Sequence, residues 1–262
     1  MSDMMFKGKK INYRIQGEGK PVFLVHGYLE TLGIWDDFAD KLAEEFQVIL
    51  MDVPGHGKSE VVEDTHHMEL HAQAAKQLLD ENHIESCTMI GHSMGGYIAL
   101  AFAELYPETL DGFALFHSHP FADSEQVKQN RQKAIEKIQA GKKEEIIRNH
   151  LPKTFADDNV NRFMEKIDGA IEVGLEIPEN GIVANLKGMM TRPDRSSLVK
   201  QTNKPFLLIA GKKDNFMDFN TIVPKVDLPE SGRLETLEHS GHMGFVEEKD
   251  RSLQAIRAFV NQ

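Results

Sequence analysis

Two kinds of apolar pattern alternate along this chain. Residues 21–25, Pro-Val-Phe-Leu-Val, are apolar without interruption, and the same signature recurs at 46–51, 87–90, 112–116 and 206–210, with a weaker copy at 233–237. Segments apolar on both faces belong to central parallel strands, because helices cover such a sheet from both sides. Two further short strands are predicted at 4–7 and 10–15, flanking Gly8 as in a hairpin. Helical periods lie between the runs, at 35–45, 68–82 and 93–105, and a C-terminal helix is predicted to carry Phe245, Val246, Leu253, Ile256, Phe259 and Val260. Such alternation predicts an α/β fold with a mostly parallel sheet flanked by helices.

After the sixth strand the alternation stops. Between His117 and Thr202 only helical periodicity remains. One helix aligns Val160, Phe163, Met164, Ile167, Ala170, Ile171 and Leu175 on a face, and a second aligns Ile182, Val183, Leu186, Met189 and Met190. More charged helices precede them around 126–139 and 143–150. The expected organisation is a core formed by 1–118 and 201–262, with a helical lid, 119–200, inserted after the sixth strand. Met189 and Met190 are read first as packing, because methionine fills irregular gaps, and second as a substrate surface.

Composition narrows the function classes. With 30 Lys and Arg against 41 Asp and Glu, the formal charge is -11, a balance that repels nucleic acid and anionic membranes. No segment approaches the roughly 18 apolar residues that a membrane span requires. A single cysteine, Cys87, precludes an intramolecular disulfide framework, and residues 1–7 lack the apolar run of a secretory signal, so a cytoplasmic location is expected. Cys87 itself is expected to be a small buried thiol in a strand.

The chemistry centres on Gly91-His92-Ser93-Met94-Gly95, which ends one apolar run and opens a helix. A serine on such a strand-to-helix turn is held in a strained backbone, and the positions two residues either side must be nearly free of side chain for the chain to turn so tightly. This is a nucleophile elbow. Serine needs a base, the base an orienting carboxylate, and the developing oxyanion a pair of donors. Asp214 follows the strand at 206–210 and His242 follows the last strand, in Ser240-Gly241-His242-Met243-Gly244. The order serine, acid, histidine matches groups hung on successive strands of one sheet.

Together with His26-Gly27, the segment Asp52-Val53-Pro54-Gly55-His56-Gly57-Lys58-Ser59 and Gly211-Lys212-Lys213-Asp214, these motifs make the chain resemble the α/β-hydrolase fold family, in its lidded serine-esterase branch, over nearly its whole length. The resemblance implies Ser93 as nucleophile, His242 as base and Asp214 as acid. It also implies an oxyanion hole made by the backbone N–H groups of Met94 and Tyr28, with Leu29 as the substitute donor if the loop turns differently. It implies no cofactor and no metal. Among the rivals, His239 competes with His242, and Asp123 and, more weakly, Asp218 compete with Asp214. His26, His56 and His92 are expected to hold loops through hydrogen bonds. His66, His67 and His71 lack a metal-site signature and are expected on a surface helix, while His117, Ser118 and His119 lie where ligand contact is plausible.

The expected activity is hydrolysis of a small carboxylic ester or lactone through an acyl-enzyme, with a small acyl compound as the only partner. Thioester hydrolysis, carbon–carbon bond cleavage in vinylogous diketones and perhydrolysis use the same constellation. A serine at position 93 argues against dehalogenase and epoxide hydrolase chemistry, which the fold usually runs from aspartate. A non-catalytic small-molecule receptor is the alternative of a different class.

Overall fold

The computed structural model describes residues 2–262. Its eight strands are β1 (Ser2–Phe6), β2 (Lys9–Gln16), β3 (Pro21–Val25), β4 (Gln47–Met51), β5 (Cys87–His92), β6 (Leu110–Phe116), β7 (Phe206–Gly211) and β8 (Gly232–Leu237). They form one sheet in the order β1-β2-β4-β3-β5-β6-β7-β8, in which β1 and β2 are antiparallel and β3 to β8 run parallel. From β3 the chain steps outward to β4 and then crosses back to place β5 on the other side of β3. The strand order reverses between β3 and β5, and an open α/β sheet has its ligand crevice at the carboxyl ends of such strands.

Helices α1 (Asp36–Leu42), α2 (Met68–Glu81) and α3 (Met94–Leu105) connect the first parallel strands, and α4 (Glu125–Gln139), α5 (Lys143–His150), α6 (Met164–Glu176), α7 (Glu179–Thr191) and α8 (Ser196–Gln201) lie between β6 and β7. The chain ends with α9 (Phe219–Ile222), α10 (Gly244–Glu247) and α11 (Lys249–Val260). The apolar runs became strands because their residues are enclosed on both faces: Val22 to Val25, Val48 to Met51, and Phe206 to Ala210 are all buried. The helix expected from Phe245 to Val260 is divided at Glu248, whose φ of -129° and ψ of 55° leave the helical region. The Glu248 carboxylate instead turns back to accept from His239 N–H and Ser240 Oγ, each at 2.8 Å. No helix among the described residues is long and apolar enough to cross a membrane.

One helix of the inserted segment is fastened to the core by small and polar residues. Along α7, Gly181, Asn185 and Gly188 fall at helical spacing against the loop after β4. Asn185 Nδ2 donates to Pro54 O at 3.0 Å and lies 3.2 Å from Nδ1 of both His56 and His66. His66 and His71 are buried there with rings 5.5 Å apart, which corrects the surface placement expected for them; only His67 of the three is exposed. Burial pushes the His66 imidazole down to about 4, so it packs as a neutral ring. A Cβ on Gly188 would lie 1.7 Å from His66 O, and one on Gly181 would lie 2.1 Å from Gly55 O. We therefore expect Gly188→Val to lower stability by more than the 1–3 kcal/mol usual for an overpacked site, read as a fall in the urea midpoint. An unchanged midpoint would mean that α7 is not held at this contact. Met189, on the same helix, is 2% exposed and belongs to the core, in line with the packing reading.

Candidate active site

Three loops at the carboxyl edge of the sheet carry non-glycine residues with positive φ: Leu29 (63°) after β3, Ser93 (52°) after β5 and His117 (49°) after β6. Strain of this kind persists only where the surroundings over-determine it. At the serine those surroundings are glycines. A Cβ at Gly91 would sit 2.1 Å from Gly95 O, and one at Gly95 would sit 2.2 Å from Val25 O. Ser93 N–H is tied across to Phe116 O at 2.9 Å. The turn thus lifts Ser93 to the head of α3, where it is partly exposed between two fully buried neighbours.

Asp214 and His242 meet on the same edge. Nδ1 of His242 donates to Asp214 Oδ2 at 2.8 Å, while Oδ1 accepts from the N–H groups of Phe216 at 2.8 Å and Met217 at 2.9 Å. His117 also reaches the carboxylate, its Nδ1 3.2 Å from Asp214 Oδ2, while Gly244 N–H donates to its Nε2 at 3.1 Å and Gly211 N–H to its Nδ1 at 3.3 Å. Burial pushes the Asp214 carboxyl up, but the two histidines outweigh it and hold the group well below the usual carboxylate range. Burial likewise opposes charge on His242, yet Asp214 prevails and raises that imidazole above its ordinary value. His117 goes the other way, down to about 4, because burial there exceeds the pull of Asp214. The ligand atoms of His117, Asp214 and His242 lie within 4.8 Å of one another, close enough for a metal ion. Nδ1 of His242, however, points its proton at the carboxylate, an arrangement that can hold the imidazole in one tautomer.

The residue behind the histidine loop went unnoticed in the sequence. Glu247 is buried and accepts from Gly241 N–H at 2.9 Å and Met243 N–H at 3.2 Å with Oε1, and from Ala156 N–H at 2.9 Å and Asn159 Nδ2 at 2.7 Å with Oε2. His242 N–H donates to Thr154 O at 2.7 Å. The inserted segment is therefore hydrogen-bonded to the backbone that carries His242. Its other approach is through His150, whose ring lies 5.8 Å from Tyr28 and 4.7 Å from Phe216, with Phe216 5.4 Å from His242. No local sequence signal separates His150 from the other polar residues of a charged helix.

Of the two candidate donors after β3, the N–H of Leu29 is already spent on His56 Nε2 at 3.2 Å, whereas that of Tyr28 makes no hydrogen bond among the described residues. The Met94 N–H, at the first position of α3, likewise has no partner among the described residues. His26 binds Gly27 O at 2.8 Å and Val53 N–H at 3.0 Å, bridging the loops after β3 and β4. Asp52 in the second motif accepts from Leu32 N–H and Asn12 Nδ2, both at 2.7 Å, and from Lys58 N–H at 2.9 Å.

The rivals lie elsewhere. His239 and Asp218 are exposed, and Asp218 caps α9 through Thr221 N–H at 2.7 Å. Asp123 is buried but bound to two arginines, Arg131 Nε at 2.7 Å and Arg192 Nη1 at 2.6 Å. A cavity of about 500 Å³ between α6 and the start of α1 reaches Glu30 and Met243 from behind, but Ser93, Asp214 and His242 do not line it.

The comparisons with known proteins agree with this architecture. An uncharacterized protein of Mycobacterium tuberculosis is 34% identical over 108 residues, a match that covers 41% of this chain and only 32% of that protein. The 2-hydroxy-6-oxo-6-phenylhexa-2,4-dienoate hydrolase of Comamonas testosteroni is 28% identical over 262 residues, covering 96% of this chain and 91% of the relative. A thermophilic esterase from Thermogutta terrifontis superimposes with a TM-score of 0.92 at 27% identity, over 97% of this chain and 93% of the esterase. The sequence profile of the alpha/beta hydrolase fold matches residues 20–249, and the chain belongs to that family.

Proposed function

We propose that the protein is a serine hydrolase that cleaves a small carboxylic ester or lactone through an acyl-enzyme, with Ser93 as nucleophile, His242 as base and Asp214 as the orienting acid. The observation that carries this reading is the Asp214–His242 hydrogen bond of 2.8 Å at the sheet edge that also presents the strained Ser93. With Nδ1–H committed to Asp214, the lone pair of His242 is on Nε2, free to take the Ser93 Oγ proton as oxygen attacks the acyl carbonyl. The N–H groups of Tyr28 and Met94 would hold the oxyanion, each donor worth about 2.7–4 kcal/mol in the transition state. Collapse expels the alcohol, protonated by His242, and water then repeats the sequence to release the acid and restore Ser93. The helical insertion acts as a lid that bears on His242 through Thr154 and on the pocket through His150.

A fluorophosphonate that modifies active serines tests the assignment directly. Peptide mapping is expected to find the label on Ser93 alone, with a burst of leaving group equal to the enzyme concentration from an activated ester. Label at another residue, or no burst and no turnover, would reject it, the latter in favour of a receptor. The pH profile gives an independent check. His242 must be neutral to act as base, and since its imidazole is held above the ordinary histidine value, kcat/KM is expected to fall on acidification at a pH above about 6.5. A rate that stays flat down to pH 5 would exclude His242.

A second reading, cleavage of a carbon–carbon bond in a carboxylate-bearing diketone, is supported by the named activity of the Comamonas relative and by one feature of the site. Two arginines share the single carboxylate of Asp123, leaving a net positive charge, and the Arg192 guanidinium stacks 3.7 Å above the ring of Tyr97. Tyr97 lies four residues beyond Ser93, one turn along α3. An anionic substrate would be drawn to that charge. Parallel assays of a neutral ester and a 2-hydroxy-6-oxo-dienoate separate the two readings.

A further inference from the structure

A second acid–histidine pair lies beneath the site, and the reaction above makes no direct use of it. Glu30 is 6% exposed and His92 is fully enclosed. Glu30 Oε2 accepts from Gly27 N–H at 2.6 Å and stands 3.0 Å from His92 Nδ1; Nε2 of the same ring stands 2.9 Å from the backbone carbonyl oxygen of His242. A carbonyl oxygen can only accept, so Nε2 carries a proton. Burial pushes the Glu30 carboxyl up, but His92 beside it reverses the balance and keeps the group ionised below the ordinary glutamate range. His92 therefore bridges the Glu30 carboxylate and the His242 backbone through its two ring nitrogens. A buried polar pair of this kind adds little stability over apolar residues of the same volume. Packing therefore does not explain it.

What the pair touches does. Gly27 directly precedes Tyr28, His92 directly precedes Ser93, and His242 is held through its own carbonyl. A Cβ on Gly27 would fall 3.0 Å from both Glu30 Oε2 and His92 Nδ1, so the loop closes tightly on the pair. We propose that Glu30 and His92 are positioning residues, a hydrogen-bonded strut that fixes the oxyanion loop and the backbone of the catalytic histidine relative to the nucleophile. The inference rests on the roles assigned above to Ser93, His242 and Tyr28. Without the Glu30 carboxylate, Gly27 N–H and His92 Nδ1 lose the oxygen they share. The cost should then fall on transition-state geometry, where a misplacement of about 1 Å is enough for 10²-fold, and not on substrate affinity.

Glu30→Ala is expected to lower kcat at least about tenfold with KM within about twofold and to slow fluorophosphonate labelling of Ser93 in parallel. A folded variant with wild-type kcat and labelling would overturn the proposal, since a merely structural pair would change the melting temperature alone. If the variant does not fold, His92→Asn decides the matter, because the shorter amide cannot span from Glu30 to the His242 carbonyl: a folded His92→Asn with wild-type kcat and labelling would overturn it. Failure of the parent assignment is distinguishable, because then the wild-type enzyme itself would not be labelled at Ser93.

Discussion

Replacing Ser93 by alanine is expected to reduce kcat for an activated ester by about 10⁴–10⁶-fold while leaving the melting temperature close to that of the wild type. The side chain is partly exposed at the head of α3 and caps nothing, as no hydrogen bond from its Oγ supports the helix, so stability has little to lose. Asp214→Asn should fall in the same class, near 10⁴-fold. Its carboxylate holds the Nδ1 proton of His242, and an amide presenting NH₂ to that ring would favour the wrong tautomer. The measurement is single-turnover acylation with circular dichroism as the folding control. More than about a tenth of wild-type turnover in Ser93→Ala would move the nucleophile elsewhere.

Asp123→Asn is expected to act on stability instead. The expectation that Asp214 and not Asp123 feeds the histidine concerns activity; the structure bears on what Asp123 does for the fold. The Asp123 carboxylate is 2% exposed and is shared by Arg131 and Arg192, and Arg192 also donates to Met189 O at 2.9 Å and Phe121 O at 3.0 Å. Burial opposes the charge on Asp123, but the arginines hold its carboxyl below the usual range. Removing the anion leaves two guanidinium groups facing each other in a mostly dry space, a change that typically costs about 3–5 kcal/mol. For a chain of 262 residues that is a large fraction of the stability of a folded domain. Urea denaturation should show it, together with earlier proteolysis between β6 and β7. A loss below about 1 kcal/mol would mean that the cluster is hydrated and that the arginines are free to bind substrate.

How much of this was legible beforehand follows from the range of the interactions involved. The parallel strands were readable because each is a short run apolar on both faces, and the elbow because Gly91 and Gly95 answer a purely local constraint on the turn around Ser93. Strain at Ser93 and the order of Asp214 and His242 follow from the same local or sequential information, whereas the loop-holding roles of His26 and His56 came with the family motifs. Contacts between distant segments were not readable. Glu30 and His92 are 62 residues apart, His92 and His242 150, and Asn185 and Pro54 131. In the sequence Glu30 and Glu247 are two of 41 acidic residues and His117 one of 12 histidines. Only the folded chain removes these groups from water, and it is desolvation that turns an ordinary surface charge into one that must find a partner. The sequence by itself determined the parallel strands, the turn and the candidates for the reacting groups; the tertiary structure decided which buried polar groups surround them.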